Sequence, residues 1–387
     1  MSVDRYVSQK VLSIPESAIH KMTALSKTIQ DVAFLSWAKP TSNTPGNINR
    51  AAALAIENQK AGGYSETVGL QSLRKKIAAK LKRINKIDAD PSEILVTVGA
   101  IEGLSAAIFT VLDPGDEVII PIPAYSTHVR QVELALGKPV LVPTVEEEGF
   151  RLDLDRIREA VNPATKAILF SSPNNPTGAV YSEKELREIA RIARENDLLV
   201  ITDEAYEYFT YDRIPHFSIA SIEGMKERVI STFTFTKTYA MTGWRIGYLH
   251  AAAGWIDPIK KVHIPLCICA PVVSQYAALE ALEGPQDCIE QFRGHYRRTR
   301  DLMCERLDQL SHVFAYQKPQ GSYLMFPRML QEKDRDSQTF SVHLLRKARV
   351  SVTPGVAFKG EGHVRMSFCV SEGEINRAFD RMERYFT

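Results

Sequence analysis

Residues 167–203, AILFSSPNNPTGAVYSEKELREIARIARENDLLVITD, decide the fold. Ala167 to Phe170 is a short apolar run without polar alternation, the pattern of a strand buried on both faces. Turn formers follow in SSPNNPTG, and Ser182 with Glu185 three residues on makes a capping box that opens a helix. Leu186, Ile189 and Ala193 then recur at helical spacing and give that helix one apolar face. Leu198 to Thr202 is a second unbroken apolar run. Strand, helix and strand in that order, closed by a right-handed crossover, place two strands side by side with their carboxyl ends on one rim.

The same alternation runs from about residue 93 to 250, with further strands expected at Ile94 to Val98, Val118 to Ile120, Val229 to Phe235 and Ile246 to His250. This predicts an α/β protein with a mostly parallel central sheet flanked by helices. Before the sheet, Leu70, Leu73, Ile77, Leu81 and Ile84 keep helical spacing; after it, a helical pattern over 271–312 leads into a smaller α/β portion. That portion has expected strands at Ser322 to Phe326 and Val364 to Cys369, and a last helix from Ser371 with Ile375, Phe379 and Met382 inward. The expected division is a large domain over 46–281 and a discontinuous second part, an N-terminal arm over 1–45 joined to 282–387. The sequence has no internal repeat and no low-complexity tract.

Composition narrows the partners. The 48 basic and 46 acidic side chains leave a net charge of +2, too weak a field for a nucleic-acid or anionic-membrane binder, so small molecules are the expected partners. No apolar run reaches the length of a membrane span. Five cysteines without paired C-x-x-C spacing fit reduced thiols in the cytoplasm and predict no metal site.

Several polar residues fall on the strand-end rim. Lys237, in the stretch STFTFTKTYAMTGWRIGY over 231–248, is either a solvated strand-end lysine or an amine in a low-dielectric cleft, able to lose its proton and attack a carbonyl. Arg245, eight residues on, supplies a second cation and a possible phosphate clamp. Asp203 ends a doubly buried run and needs a partner: a helix terminus, a salt bridge or a protonated heteroaromatic nitrogen. Asn175 is either a turn residue or an amide offered to a ring hydroxyl. Gly99, Ala100 and Ile101 open a helix after a strand, where small residues let backbone amides reach an anion, with Thr234 at hand. Tyr125 follows another strand, either packed or stacked on a flat ring. Arg365 interrupts an apolar strand, held by an internal ion pair or kept for a carboxylate.

Taken together and in order, these segments resemble the class I and II aminotransferases of pyridoxal phosphate (PLP) fold type I over nearly the whole chain, most nearly the aspartate and aromatic subgroup. The resemblance implies a catalytic set of Lys237, Asp203 and Tyr206, with Lys237 as the Schiff-base lysine, Asp203 paired to the pyridine nitrogen, and Tyr206 with Asn175 on the ring hydroxyl. It also implies that Tyr125 stacks on the ring, and that Gly99, Ala100, Ile101, Thr234 and Arg245 hold the phosphate. Tyr64 would arrive from the partner subunit of a homodimer. Arg365, with Asn175 and the backbone of Ala38, would bind the substrate carboxylate. Two positions depart from the family pattern: Ala38 stands where a glycine is common and Ser172 where an asparagine is. Threonines at 234 and 236 replace serines and keep the hydroxyls.

The implied reaction is ping-pong transfer of an amino group from an aspartate-like or aromatic L-amino acid to a 2-oxo acid such as 2-oxoglutarate. Cofactor residues do not choose the fate of a carbanion, so a carbon–sulfur β-lyase or a cyclising synthase is the alternative on the same fold. A non-catalytic, cofactor-sensing regulator is disfavoured, because the match starts near the N-terminus and leaves no room for a DNA-binding head.

Overall fold

The computed structural model describes residues 3–12, 14–331 and 336–387. A short strand in the arm, Ala33–Phe34 (β1), comes first. The central sheet then takes Ile94–Thr97 (β2), Glu117–Ile122 (β3), Lys138–Pro143 (β4), Thr165–Ser171 (β5), Leu199–Asp203 (β6), Val229–Thr234 (β7) and Gly247–His250 (β8). Its order is β2-β8-β7-β6-β5-β3-β4. β8 runs antiparallel to both neighbours, and every other pairing in this sheet is parallel.

Side chains alternate between the two faces of each strand, and both faces are covered. Ile119, Ile168, Val200 and Val229 point into a core shared with the helices Gly46–Glu57, Gln71–Lys80, Glu183–Glu195 and Val272–Glu283. Val118, Ile120, Leu169, Ile201 and Ile230 pack on the other side against Gly99–Val111, Ser126–Leu134 and Ala253–Cys267. β7 is buried along its whole length, and its mid-strand hydroxyls, Ser231 and Thr232, are satisfied by Thr202 of β6, so the groups left to face a ligand lie at the strand ends, where the register counts. Ser171 lies opposite Asp203, Asp203 opposite Thr232 and Thr234 opposite Gly247, so the carboxyl ends of β5, β6 and β7 share one edge.

A third core gathers Ala33 and Leu35 of the arm with Tyr296, Leu344, Val350, Ile375, Phe379 and Met382. Here β1 pairs in parallel with Val350–Ser351, and Val364–Ser367 lies between Leu324–Met325 and Thr353–Pro354, antiparallel to both. The last helix is Glu372–Phe386, with Ser371 as its N-cap accepting from the Glu374 amide.

Four expectations need adjustment. β4 was not anticipated: it is a half-exposed edge strand carrying Pro139 and Pro143, which an edge strand tolerates because its outer side makes no ladder bonds. The helix expected through Ile84 becomes a π-helical turn at Leu81–Asn85, which shifts its phase, exposes Ile84 and buries Asn85. The helical pattern over 271–312 breaks into Val272–Glu283 and Asp287–Gln309 around Gly284 and Pro285. The strand expected over Ser322 to Phe326 shrinks to Leu324–Met325, because Ser322 takes a left-handed φ of 58°. Among the described residues no helix is long and apolar enough to cross a membrane.

Candidate active site at the carboxyl edge of the sheet

A cavity of about 450 Å³ opens on this edge, lined by Ala38, Ala100, Ile101, Tyr125, Asn175, Asp203, Tyr206, Thr234, Lys237, Arg245 and Arg365 among others. Eleven of the thirteen residues expected from sequence are therefore brought together. Gly99 abuts the site through Arg245 and does not line the cavity, whereas Tyr64 stands away from it, 81% exposed on the single chain.

Lys237 reaches the cavity because β7 ends in a single helical turn, Phe235–Thr238, whose N-cap Thr234 accepts the Thr236 amide through Oγ1 at 3.1 Å. Its Nζ donates to the Ala38 carbonyl at 3.0 Å and lies 5.8 Å from the Tyr206 ring centroid and 5.7 Å from that of Tyr323. Burial removes hydration from the ammonium and lowers the Lys237 pKa to about 8, with Arg365 and Arg245 adding repulsion against the attraction of Asp203. The solvated-lysine reading is thus set aside. The Ala38 carbonyl faces inward, and it also accepts from the Tyr323 hydroxyl at 3.1 Å.

Asp203 ends β6. Oδ1 accepts the Ala205 amide at 3.1 Å, while Oδ2 lies 3.2 Å from His128 Nε2. His128 is fully buried on the helix Ser126–Leu134 and leaves Nδ1 without a partner, and its ring meets Tyr125 edge-on at 5.6 Å. Sequence reasoning missed His128. The available signal was its spacing three residues beyond Tyr125, which sets both over one turn of helix.

The anion corner depends on two glycines. Gly99 sits at φ +73°, and a Cβ there would lie 2.7 Å from Arg245 Nη2. At Gly247 a Cβ would meet the Phe233 carbonyl, the Ala100 nitrogen and the Gly99 carbonyl carbon at 2.6–2.8 Å, so β8 approaches the helix Gly99–Val111 only because it carries no side chain there. That helix has no side-chain cap bond at Val98, which leaves its first-turn amides to face an anion beside Arg245.

Arg365 is 3% exposed in Val364–Ser367. Nη1 donates to Asn175 Oδ1 at 3.2 Å, Nη2 to the Ser36 carbonyl at 3.0 Å and to Thr353 Oγ1 at 3.4 Å, and the guanidinium lies 4.7 Å from the Phe358 ring centroid. Its Nε is buried without a partner, and among the described residues no carboxylate pairs with it, which removes the internal ion-pair reading. Burial pushes its pKa down, an unfavourable state that an incoming anion relieves. The two adjacent asparagines divide the turn and site readings between them. Asn174 Oδ1 holds the turn through the Thr177 amide and hydroxyl, leaving Asn175 to the cavity.

Tyr206, buried and with its pKa raised by burial, meets Tyr323 edge-on at 5.1 Å. The thiol of Cys369 lies 3.1 Å from the Lys39 carbonyl and tethers the segment holding Ala38; burial raises its pKa to about 11. Behind Asp203, Glu204 accepts from Ser218 and Thr202 and pairs with His216 at 2.8 Å. Ser218 continues through Asn85 to the buried Lys80–Glu207 pair. None of this network, nor Tyr323 or Cys369, was picked out from sequence.

A buried amine of lowered pKa, a strand-end carboxylate, a glycine-lined anion corner and an arginine with no carboxylate of its own suit the aldehyde, ring nitrogen and phosphate of PLP and the carboxylate of an amino acid. The profile of the family "Aminotransferase class I and II" matches residues 35–382, and the chain belongs to that family. It is a PLP-dependent aminotransferase. An aspartate aminotransferase of Pyrococcus abyssi is 40% identical over 383 residues, and an aromatic-amino-acid aminotransferase 2 of Thermococcus litoralis is 38% identical; each alignment spans 98% of this chain and 97% of the relative. A solved single mutant of Thermus thermophilus aspartate aminotransferase superposes with a TM-score of 0.93 at 34% identity, covering 98% of this chain and 99% of that one. None of these relatives is named a lyase or a synthase.

Proposed function

We propose that the enzyme transfers the amino group of an aspartate-like or aromatic L-amino acid to 2-oxoglutarate, working as a cytoplasmic homodimer with shared active sites. The names of the aspartate and aromatic relatives support the donor classes. The lining of the cavity supports both as well, since beyond the residues already named it combines Ile19, Trp37 and Leu104 with His20 and Lys39, the only other titratable groups among the described lining residues. Exposure of Tyr64 on the single chain supports its reaching a partner's site, and five free cysteines suit a reducing compartment. The cores described above support a large domain over 46–281 and a second part built from 1–45 and 282–387.

When bound, PLP supplies an electron sink for the pair released at the substrate α-carbon. Lys237 would hold the cofactor, and its Nζ is the group that would take the α-proton and return it. Asp203, oriented by His128 and the Ala205 amide, would pair with the ring nitrogen and favour its protonated form. Asn175 and Tyr206 would offer polar groups to the ring hydroxyl, and Tyr125 an aromatic face to the ring. The amides of Gly99, Ala100 and Ile101 hold the phosphate with Thr234 and Arg245. Arg365 binds the α-carboxylate, with Asn175 and the segment at Ala38 beside it. The observation that carries this reading is the buried Lys237 amine sharing one cavity with Asp203 and the carboxylate-free Arg365. Its test is a panel of twenty amino acids with 2-oxoglutarate, following glutamate: turnover should concentrate on acidic or aromatic donors, and turnover confined to other donors would reject it.

A further inference from the structure

Outside the cavity, on the far side of the helix Gly99–Val111, three different donor groups converge. His263 and Cys267 are four residues apart on the helix Ala253–Cys267 and so share a face. Glu102 comes from the first turn of Gly99–Val111, which packs on that helix through Leu104 and Ala107 against Ile256 and Ile259. His263 Nδ1 is 2.9 Å from Glu102 Oε1 and 3.5 Å from Cys267 Sγ, and one donor atom from each of the three residues lies within 4.8 Å of the others. His263 is fully buried, while Glu102 and Cys267 are partly exposed, so the cluster is closed on the protein side and open on the other.

We propose that Glu102, His263 and Cys267 form a zinc-binding site with a fourth position open to solvent. Tetrahedral zinc with bonds of about 2.0–2.2 Å to nitrogen and oxygen and about 2.3 Å to sulfur sets its donors roughly 3.4–3.6 Å apart. The nitrogen–sulfur spacing already suits that arrangement, and the nitrogen–oxygen spacing needs to open by about half an ångström. A mixed oxygen, nitrogen and sulfur set selects zinc over calcium or magnesium, which require oxygen throughout. Glu102 Oε2 accepts the Val98 amide at 3.1 Å, an outer bond that orients the carboxylate and leaves Oε1 for the metal. Zinc here pins the start of the Gly99–Val111 helix to the end of Ala253–Cys267.

The test uses the full-length, PLP-bound enzyme, stripped with chelator and dialysed against zinc chloride. The expected results are one zinc per chain, a zinc-edge X-ray absorption shell containing one sulfur at about 2.3 Å, and a melting temperature that rises with zinc. Cys267→Ala should weaken binding at least about tenfold and abolish the thermal shift; if that variant folds poorly, Cys267→Ser preserves the volume and should lose affinity equally. Absence of bound zinc, a shell without sulfur, or equal binding by wild type and the Cys267 variant overturns the proposal. Zinc held by the cofactor itself would give that last result.

Discussion

Replacing Arg365 by leucine tests the site at its most unusual group. The guanidinium has five N–H donors, yet its protein contacts are the Asn175 amide oxygen at 3.2 Å, the Ser36 carbonyl at 3.0 Å and the Thr353 hydroxyl at 3.4 Å, with Nε unpartnered. No carboxylate of the described chain neutralises it, so a substrate carboxylate becomes its one anionic partner. Removing one member of a buried, hydrogen-bonded charge pair costs about 2–5 kcal/mol, which converts to a loss of roughly thirtyfold to several thousandfold in kcat/KM. Every amino acid and 2-oxo acid should suffer, because the α-carboxylate is common to them all, and KM should carry much of the loss. Arg365→Lys keeps the charge without the planar fork and should fall between the two. The assay is initial-rate formation of the 2-oxo acid, with the melting temperature of each variant as a folding control. A folded Arg365→Leu enzyme with kcat/KM within threefold of wild type would refute the reasoning, and a loss confined to one substrate would move Arg365 to side-chain recognition.

Lys237→Met probes the cost of holding a buried amine. A folded-state pKa of about 8 against 10.5 in the unfolded chain means that the unfolded state binds more protons between those values. Stability of the cofactor-free protein therefore falls as pH drops from 10.5 to 8, by about 3 kcal/mol, and stays at that deficit below 8. Methionine should raise cofactor-free stability by about 1–3 kcal/mol at pH 7, with the gain shrinking towards pH 10.5; denaturant titration of a less stable methionine variant at pH 7 would count against it. Gly247→Ala places a Cβ within 2.8 Å of three backbone atoms that cannot move independently, so stability should fall by about 2 kcal/mol or more, with weaker PLP retention. An unchanged denaturation midpoint would show that the helix start is free to shift.

The sheet was legible because strands buried on both faces read as unbroken apolar runs and Ser182 with Glu185 marks the helix between two of them. β4 escaped notice because an edge strand is only half buried and its two prolines look like loop residues. The site followed the sheet: Asp203 ends a strand and Asn175 and Lys237 come just past strand ends, so polar residues there stood out from the apolar runs before them. His128, Tyr323 and Cys369 did not stand out, since His128 sits inside a helix and the other two flank the short strands Leu324–Met325 and Val364–Ser367, where the sequence gives no hint of facing a cavity. Tyr64 marks a different limit: it is 81% exposed on the single chain, and the role proposed for it depends on a second chain.

The most direct measurement is borohydride reduction of the PLP-loaded protein followed by peptide mapping. The account predicts one stable phosphopyridoxyl adduct on Lys237, missing from Lys237→Ala. A wild-type protein without that adduct, or with its label on another lysine, would contradict the central assignment.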